Sequence, residues 1–264
     1  MASRSTVPAA LSIAGSDSGA NAGIQADLLS FAANGVYGTT AITCLTAQNP
    51  TGVSAIQAAE ADFVEAQIDQ VLRYYPVKAI KTGMLFNREI ILAVARRLKK
   101  APLIPLVIDP VSVATSGHAL LQEDALEALK LHLLPLATVL TPNLDEAKLL
   151  LNRQISNPAE MREAALDLAR AYQATVLLKG GHLPGDNLVD VVASPDGQSQ
   201  RFNQNRILDI DTHGSGCTLS AAIAAQIARG NSIPNSISIA RSYLRQGMEN
   251  PIKLPQSPFI NHLP

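Results

Sequence analysis

The amino-acid sequence predicts an α/β fold in which helices cover both faces of a central, mostly parallel sheet. Short apolar runs alternate along the chain with longer segments of helical period, and this alternation is typical of βαβ units. Several of these runs are rich in Val, Ile and Leu without strict alternation, as expected for strands that are buried on both faces. The chain has 264 residues, of which 47% are hydrophobic, so it can bury one substantial core.

Seven apolar runs are the expected strands of the sheet. They are Ala9–Ala14, Gly38–Thr46, Val77–Lys81, Leu103–Asp109, Thr138–Leu140, Thr175–Lys179 and Leu188–Ala193. The turn Ser194–Gly197 follows the last of them. After that turn, a short antiparallel pair of Gln200–Asn203 with Arg206–Ile210 is expected.

The expected helices carry recognisable end signals. The strongest start is Asn157-Pro158-Ala-Glu160, which has a capping residue, a proline at the first helical position and an acid at the third. That helix should run to about Tyr172. The other expected helices are Ala22–Asn34, Ala61–Tyr75, Arg88–Lys100 after the capping residue Asn87, the run to Ala228 after a glycine loop, and Ile233–Met248.

No internal repeat, linker or break in composition divides the chain, so one domain over residues 1–264 is expected. The segment 251–264 contains four prolines, which predicts an extended, loosely held tail. The net charge is −1 without a basic block, and nucleic acid is not an expected partner. Two cysteines, no export signal and an N-terminal apolar run too short to span a bilayer favour a cytoplasmic protein without a membrane partner.

The most informative motif is the glycine loop Asp211–Cys217, which is followed at once by an apolar helical run. Gly214 and Gly216 allow a ligand to approach the main chain closely. The N–H groups at the start of the helix, together with the helix dipole, favour an anion such as a phosphate. Such turns also simply reverse a chain, and the loop alone does not decide between the two. Cys217 at a helix N-terminus is expected to have a lowered pKa.

Polar and small residues follow nearly every predicted strand, where parallel sheets bind their ligands. Each has an ordinary structural alternative: Asp27 as an exposed helix acid, Asp109 as a turn former, Asn143 as a helix cap for the segment that holds Glu146, Lys179 as a solvated strand end, Met84 as core filler. Cys44 lies within a strand and is expected to be a buried structural thiol.

Taken together, these motifs resemble the ribokinase-like superfamily and, within it, the hydroxymethylpyrimidine/phosphomethylpyrimidine kinases of thiamine biosynthesis. The resemblance spans nearly the whole chain in the family's order. Its segments are Ala14–Asp17, Ala22–Asp27, Thr46–Asn49, Lys81–Met84, Ile108–Val111, Thr141–Asn143 with Glu146, Leu178–His182 and Thr212–Ser220. Sugar kinases of the superfamily end the glycine loop in aspartate, whereas this chain has Cys217, as vitamin kinases do.

The resemblance implies a three-layer αβα fold and a kinase that uses ATP and Mg²⁺ to phosphorylate 4-amino-5-hydroxymethyl-2-methylpyrimidine and then its monophosphate. Carried over by position, the substrate contacts are Gly23, Asp27, Gln48, Met84 and Val111. Lys179, Asn143 and Thr212 are implied for ATP, and Asp109 and Glu146 for the metal. Gly214, Ser215, Gly216 and Cys217 are implied as the catalytic loop that holds the transferring phosphoryl group.

Two readings compete with the pyrimidine kinase. A pyridoxal kinase of vitamin B6 salvage is similar, because its substrate is also a small aromatic ring with a hydroxymethyl group. A non-catalytic ligand sensor on a kinase scaffold would require loss of phosphate or metal residues, which the chain retains. The chain departs from the family's pattern at two positions: Asn21 stands where the family usually has glycine, beside the implied substrate, and Ser215 replaces a threonine. A homodimer, a monovalent cation and a lid at Gly180–Asn187 stay open.

Overall fold

A nine-stranded sheet forms the centre of this computed structural model, which describes residues 6–101, 103–111, 123–181, 183 and 187–264. Its strands are β1 (Ala9–Asp17), β2 (Tyr37–Asn49), β3 (Gly52–Ala58), β4 (Val77–Thr82), β5 (Leu106–Ile108), β6 (Val139–Leu140), β7 (Thr175–Leu178), β8 (Asn187–Ala193) and β9 (Ser199–Asn205). They lie in the order β3-β2-β1-β4-β5-β6-β7-β8-β9.

The sheet is mostly parallel, as the sequence predicts. Strands β2, β1, β4, β5, β6 and β7 run parallel to one another, while β3 at one edge and β8 and β9 at the other pair antiparallel. The carboxyl ends of six neighbouring strands therefore meet at one edge, which is where ligands bind in sheets of this kind.

Helices cover both faces of the sheet and complete the predicted three layers. They are α1 (Gly23–Ala33), α2 (Ala61–Tyr74), α3 (Arg88–Lys99), α4 (Glu123–Ala128), α5 (Leu144–Leu151), α6 (Pro158–Tyr172), α7 (Ser215–Ala228) and α8 (Ile233–Glu249). The helix α4 continues into a π-helical turn (Leu129–Leu133) and a 3₁₀ turn (Leu134–Leu136). None of the helices in the described part of the chain is long and apolar enough to span a bilayer.

Each face of the sheet has its own hydrophobic core. One core contains α2 to α6 and the other contains α1, α7 and α8. Strand β5 contributes to both cores, because Leu106 and Ile108 point into the first core and Val107 points into the second. Alternate side chains of a strand point to opposite faces, so an uninterrupted apolar run is what such a strand requires.

Two sequence expectations at the edges of the sheet are wrong. The partner of Ser199–Asn205 is β8, joined to it through the turn at Gly197 (φ +91°), and Arg206–Ile210 is not a strand. The edge strand β3 was not expected at all. Val53 and Ile56 are its only large apolar residues and none of its residues is buried, so it lacks the continuous apolar signal that marks the central strands.

The C-terminal segment is extended, but it is not loosely held. It forms a two-stranded ladder of β10 (Ile252–Lys253) with β11 (Pro258–Phe259), and Ile260 is buried. The Tyr243 hydroxyl donates to the carbonyl of His262 at 2.6 Å, and the Asp211 N–H donates to the carbonyl of Pro258 at 2.9 Å. The segment thus packs against α8 and against the start of the glycine loop.

The cap of α6 offers a test of the fold that does not touch the cleft. The Asn157 side chain accepts from the N–H groups of Ala159 and Glu160, both at 3.0 Å. We expect Asn157→Ala to lower the free energy of unfolding by about 1 kcal/mol, which is about 2–4 °C in Tm by scanning calorimetry. Asn157→Asp keeps the acceptor and serves as the control; an equal loss in both variants would contradict the capping argument.

Candidate active site

A cleft of about 710 Å³ opens at the carboxyl ends of the parallel strands. It is lined by every predicted site residue except Asp27. These are Gly23, Gln48, Met84, Asp109, Val111, Asn143, Glu146, Lys179, Thr212, Gly214, Ser215, Gly216 and Cys217. The structure therefore gathers residues that are up to 194 positions apart in sequence (Gly23 to Cys217).

The glycine loop requires its glycines for two different reasons. Gly214 has φ +85°, and a Cβ there would lie 1.7 Å from the carbonyl oxygen of Asn21. Any side chain at 214 would push this loop away from the first loop of the chain. A Cβ on Gly216 would lie 3.2 Å from both the Asp109 carboxylate and the Lys179 ammonium. Glycine at 216 thus keeps the main chain close to the charged groups.

Helix α7 begins earlier than the sequence suggests, at Ser215 with Gly214 as its N-cap. The N–H groups of Ser215, Gly216 and Cys217 therefore occupy the first turn, where the helix itself offers them no acceptor. The Ser215 N–H donates to the Thr212 carbonyl at 3.0 Å, so the N–H groups of Gly216 and Cys217 are the ones placed for a ligand. The α7 N-terminus faces the cleft that Asp109 and Lys179 also line. This is the geometry of an anion site.

Lys179 and Asp109 form an ion pair that lines the cleft near the α7 N-terminus. The Lys179 ammonium lies 3.1 Å from a carboxylate oxygen of Asp109, and Thr141 and Ser220 also donate to that carboxylate, at 3.2 and 3.4 Å. Burial alone would lower the pKa of Lys179, but the carboxylates of Asp109 and Glu146 together outweigh it and leave that pKa raised. Lys179 is therefore a permanent cation beside the α7 N-terminus.

Asn143 and Glu146 form a reciprocal capping box at the start of α5. The Asn143 side chain accepts from the Glu146 N–H at 2.9 Å, and the Glu146 carboxylate accepts from the Asn143 N–H at 2.7 Å. The capping role that the sequence suggested for Asn143 is confirmed. The box also holds the Glu146 carboxylate at the cleft, beside the strand end that carries Lys179, since Asn143 and Lys179 form a β-bridge.

Asp27 does not line the cleft. The alternative expectation, that Asp27 is an exposed acid of a helix, is also wrong. Its side chain is 0% exposed and lies 2.8 Å from the Lys81 ammonium through each of its carboxylate oxygens. Ser12 donates to the same carboxylate at 2.5 Å. Burial alone would lower the pKa of Lys81, but the charge of Asp27 raises it. The periodicity of the helix could not predict that Asp27 forms an ion pair with a buried lysine of another element.

The expected lowering of the Cys217 pKa is not observed. Burial of the thiol raises its pKa to about 11, although the nearby Lys81 ammonium acts in the opposite direction. The Gly23 N–H also donates to the Cys217 sulfur. The helix N-terminus alone would favour the thiolate, but loss of water outweighs it. Cys44, by contrast, is the buried thiol that the sequence predicts.

Asp17, Thr46 and His213 line the cleft without having been predicted as site residues. His213 Nε2 lies 2.8 Å from the Gln48 amide and 3.3 Å from the Asp17 carboxylate. Burial raises the pKa of Asp17, but hydrogen bonds from His213, Gly19 and Ala22 outweigh it and leave that pKa lowered. The position of His213 inside the glycine loop was the available signal.

The far end of the cleft was also missed. It is lined by β8, β9, the segment 206–210 and α8, with Leu188, Leu208, Leu244 and Met248 beside Arg206. The Arg206 guanidinium donates to the carbonyls of Gly181 and Leu183, at 3.1 and 3.0 Å. The proposed lid at Gly180–Asn187 lies partly outside the described residues, as do His182 and the segment 112–122.

The donor set fits a magnesium ion that is shared with phosphates better than a site made by protein alone. The described residues contain no group of three or more His, Cys, Asp or Glu side chains placed to hold a metal. They do place two oxygen-rich side chains, Asp109 and Glu146, at the cleft. Mg²⁺ in kinases is held by one or two carboxylates together with substrate phosphates and water.

The fold and this site define a kinase of the ribokinase-like class. The family model described as phosphomethylpyrimidine kinase matches residues 17–259, and the chain belongs to that family. It is 50% identical over 239 residues to the hydroxymethylpyrimidine/phosphomethylpyrimidine kinase of Rhizobium meliloti, covering 89% of this chain and 88% of the relative. The chain is therefore an enzyme, a phosphotransferase, as the sequence resemblance implies.

Solved structures of two vitamin kinases superpose on the chain. One is the ADP complex of Bacillus subtilis pyridoxal kinase, with a TM-score of 0.88 and 34% identity over 97% of this chain and 98% of that one. The other is the phosphomethylpyrimidine kinase of Clostridium difficile, with a TM-score of 0.81 and 37% identity over 91% of this chain and 99% of that one. Both activities occur on this fold.

The raised pKa of Cys217 predicts slow alkylation of the thiol at neutral pH. With a pKa of about 11, roughly one thiol in ten thousand is ionised at pH 7. We expect the rate of iodoacetamide modification at Cys217 to rise about tenfold per pH unit from pH 7 to 10, measured by peptide mass in a Cys44→Ala background. A rate that levels off below pH 9 would contradict the raised pKa.

Proposed function

We propose that this kinase phosphorylates 4-amino-5-hydroxymethyl-2-methylpyrimidine with ATP, and then phosphorylates the monophosphate to the diphosphate, as a step of thiamine biosynthesis. The observation that carries the proposal is the juxtaposition of two unlike halves in one cleft. Uncharged groups that suit a heteroaromatic ring, Gln48, Met84 and Cys217, line the same cleft as the charged pair of Lys179 and Asp109.

The ring half suits an aminopyrimidine. An amide such as that of Gln48 can donate to a ring nitrogen and accept from an amino group. Met84 and Val111 supply half-buried apolar surface for the ring. Glycine at 23 lets the start of α1 lie against the end of β1, since a Cβ there would lie 2.4 Å from the Gly15 carbonyl oxygen. Asp27 supports this wall from below rather than touching the substrate.

The phosphate half suits transfer from ATP. The substrate hydroxyl oxygen forms a bond to the γ-phosphorus, the bond from that phosphorus to the β-phosphate oxygen breaks, ADP leaves, and the hydroxyl proton passes to a phosphate oxygen or to water. The first-turn N–H groups of Gly216 and Cys217 and the Lys179 ammonium would stabilise the negative charge of the transferring group, while the Ser215 N–H holds the loop through the Thr212 carbonyl. Thr212 and Asn143 border the same space for the nucleotide. Asp109 and Glu146 would hold Mg²⁺, which neutralises phosphate charge when bound.

Cys217 suits orientation of the substrate hydroxyl better than general-base catalysis. A thiol with a pKa of about 11 is protonated at pH 7, so it can exchange hydrogen bonds with a hydroxyl but has no thiolate ready to take its proton. Catalysis then depends on position and on charge stabilisation, as the loose transition state of phosphoryl transfer allows.

Pyridoxal is the second candidate substrate. The likeness to Bacillus subtilis pyridoxal kinase favours it, and a pyridine ring with a hydroxymethyl group would fit the same half of the cleft. The family match and the Rhizobium meliloti relative favour the pyrimidine. A non-catalytic sensor is disfavoured because Asp109, Glu146 and Lys179 all line the cleft next to the glycine loop.

Product analysis tests the proposal directly. The purified protein is incubated with Mg-ATP and, separately, with the hydroxymethylpyrimidine, its monophosphate and pyridoxal, and the products are followed by mass. We expect pyrimidine monophosphate and then diphosphate, because one cleft serves both steps. Pyridoxal phosphate as the sole product would overturn the proposal in favour of vitamin B6 salvage, and binding without turnover would favour the sensor.

Substitution at Cys217 separates orientation from proton transfer. We expect Cys217→Ala to lower kcat for the pyrimidine at least tenfold, which corresponds to loss of about one hydrogen bond. Cys217→Ser keeps a neutral donor and acceptor and should retain most of kcat with the same pH dependence. Steady-state kinetics at pH 7 and 9 are the measurement; unchanged turnover in Cys217→Ala would remove the thiol from the mechanism.

A further inference from the structure

A small hydrogen-bond network beside the ring half of the cleft determines how the Gln48 amide is turned. The amide nitrogen of Gln48 lies 2.8 Å from His213 Nε2, and the amide oxygen lies 3.4 Å from the Thr46 hydroxyl. The oxygen and nitrogen of an amide are nearly identical in shape, so their positions follow from what each neighbour can donate or accept. Both neighbours of Gln48 have partners that settle this.

On the histidine side, the third member is the Asp17 carboxylate, 3.3 Å from the same Nε2 atom. Its lowered pKa keeps it ionised, and an ionised carboxylate can only accept hydrogen bonds. Its two oxygens already accept from the N–H groups of Gly19 and Ala22, at 2.8 and 2.9 Å, which hold it in place. His213 Nε2 therefore carries a proton, and the Gln48 atom that faces it is the amide oxygen.

On the threonine side, the hydroxyl has one proton to give. The Thr46 hydroxyl donates it to the backbone carbonyl of Ser16 at 2.9 Å, and that carbonyl can only accept. Towards Gln48 the Thr46 oxygen is then an acceptor, so the amide atom on that side is the NH₂ group. The two ends of the network agree on a single orientation of the amide, in which its oxygen and nitrogen exchange the places given above.

We propose that His213 is a positioning residue that fixes the polarity of the Gln48 amide and so selects a ring edge with an amino group beside a ring nitrogen. The orientation leaves one N–H and one lone pair of the amide for the substrate. They match the ring nitrogen and the amino group of an aminopyrimidine, whereas pyridoxal has no amino group. This inference rests on the proposed function, because it takes the aminopyrimidine as the substrate.

A double-mutant cycle tests whether His213 acts through Gln48. The variants are His213→Leu, Gln48→Ala and the double variant, with His132→Gln, outside the cleft, as the control. We expect His213→Leu to raise the Kd of the hydroxymethylpyrimidine about tenfold by calorimetry, as loss of one hydrogen bond implies. It should lower kcat/KM for the pyrimidine relative to pyridoxal by a similar factor, with KM for ATP unchanged. The double variant should bind within about twofold of Gln48→Ala.

The outcomes distinguish failure of the positioning role of His213 from failure of the proposed function. Additive losses in the double variant, or an unchanged Kd in His213→Leu, would overturn the positioning role while leaving the pyrimidine kinase intact. Absence of pyrimidine binding by the unsubstituted protein would overturn the proposed function itself, and the selected ring edge with it. Nitrogen-15 NMR of the unsubstituted protein gives an independent reading: a proton on Nε2 of His213 is expected, and a proton on Nδ1 alone would overturn the inference.

Discussion

A buried ion pair beneath the cleft ties the middle of the sheet to its first helix. Lys81 of β4 and Asp27 of α1 are both 0% exposed, and Ser12 of β1 supplies a further hydrogen bond. Removing either partner would strand a charge in the core, which costs several kcal/mol. The pair therefore fixes α1 relative to β4, and the Ser12 hydrogen bond fixes it relative to β1. This ion pair therefore also fixes the position of Gly23 at the start of α1. The Gly23 N–H in turn donates to the Cys217 sulfur.

Backbone proximity is the second constraint, and it explains why the site is rich in glycine. Gly214 meets the carbonyl of Asn21, so the first and last loops of the site touch through main chain. The change of the family's glycine to Asn21 is accommodated because the contact uses the Asn21 carbonyl. Only a side chain at 214 would separate the loops. The conformational cost of glycine in the unfolded chain is offset by bringing the phosphate-binding turn against the ring half of the cleft.

Much of this architecture could be predicted from the sequence, because its signals are local. Uninterrupted apolar runs identified the parallel strands, and the cap at Asn157 identified the start of α6. The misses within the site share a cause, which is that they depend on partners distant in the chain. The burial of Asp27 depends on Lys81, 54 residues away. The raised pKa of Cys217 depends on the atoms that exclude water from it, and the role of His213 on Asp17, 196 residues away.

The distribution of charge in the cleft follows the chemistry proposed for it. Gln48, Met84 and Cys217 offer the ring half neutral groups, since burial keeps the thiol protonated. Such neutral groups suit an uncharged heteroaromatic ring, which would lose hydration without gain beside an isolated ion; the ionised Asp17 nearby is not isolated, since it is hydrogen-bonded to Gly19, Ala22 and His213. Lys179, Asp109 and Glu146 concentrate charge at the cleft beside the α7 N-terminus. Charge in the transition state develops on the transferring phosphoryl group, so the ions lie where they stabilise that group more than the bound substrate.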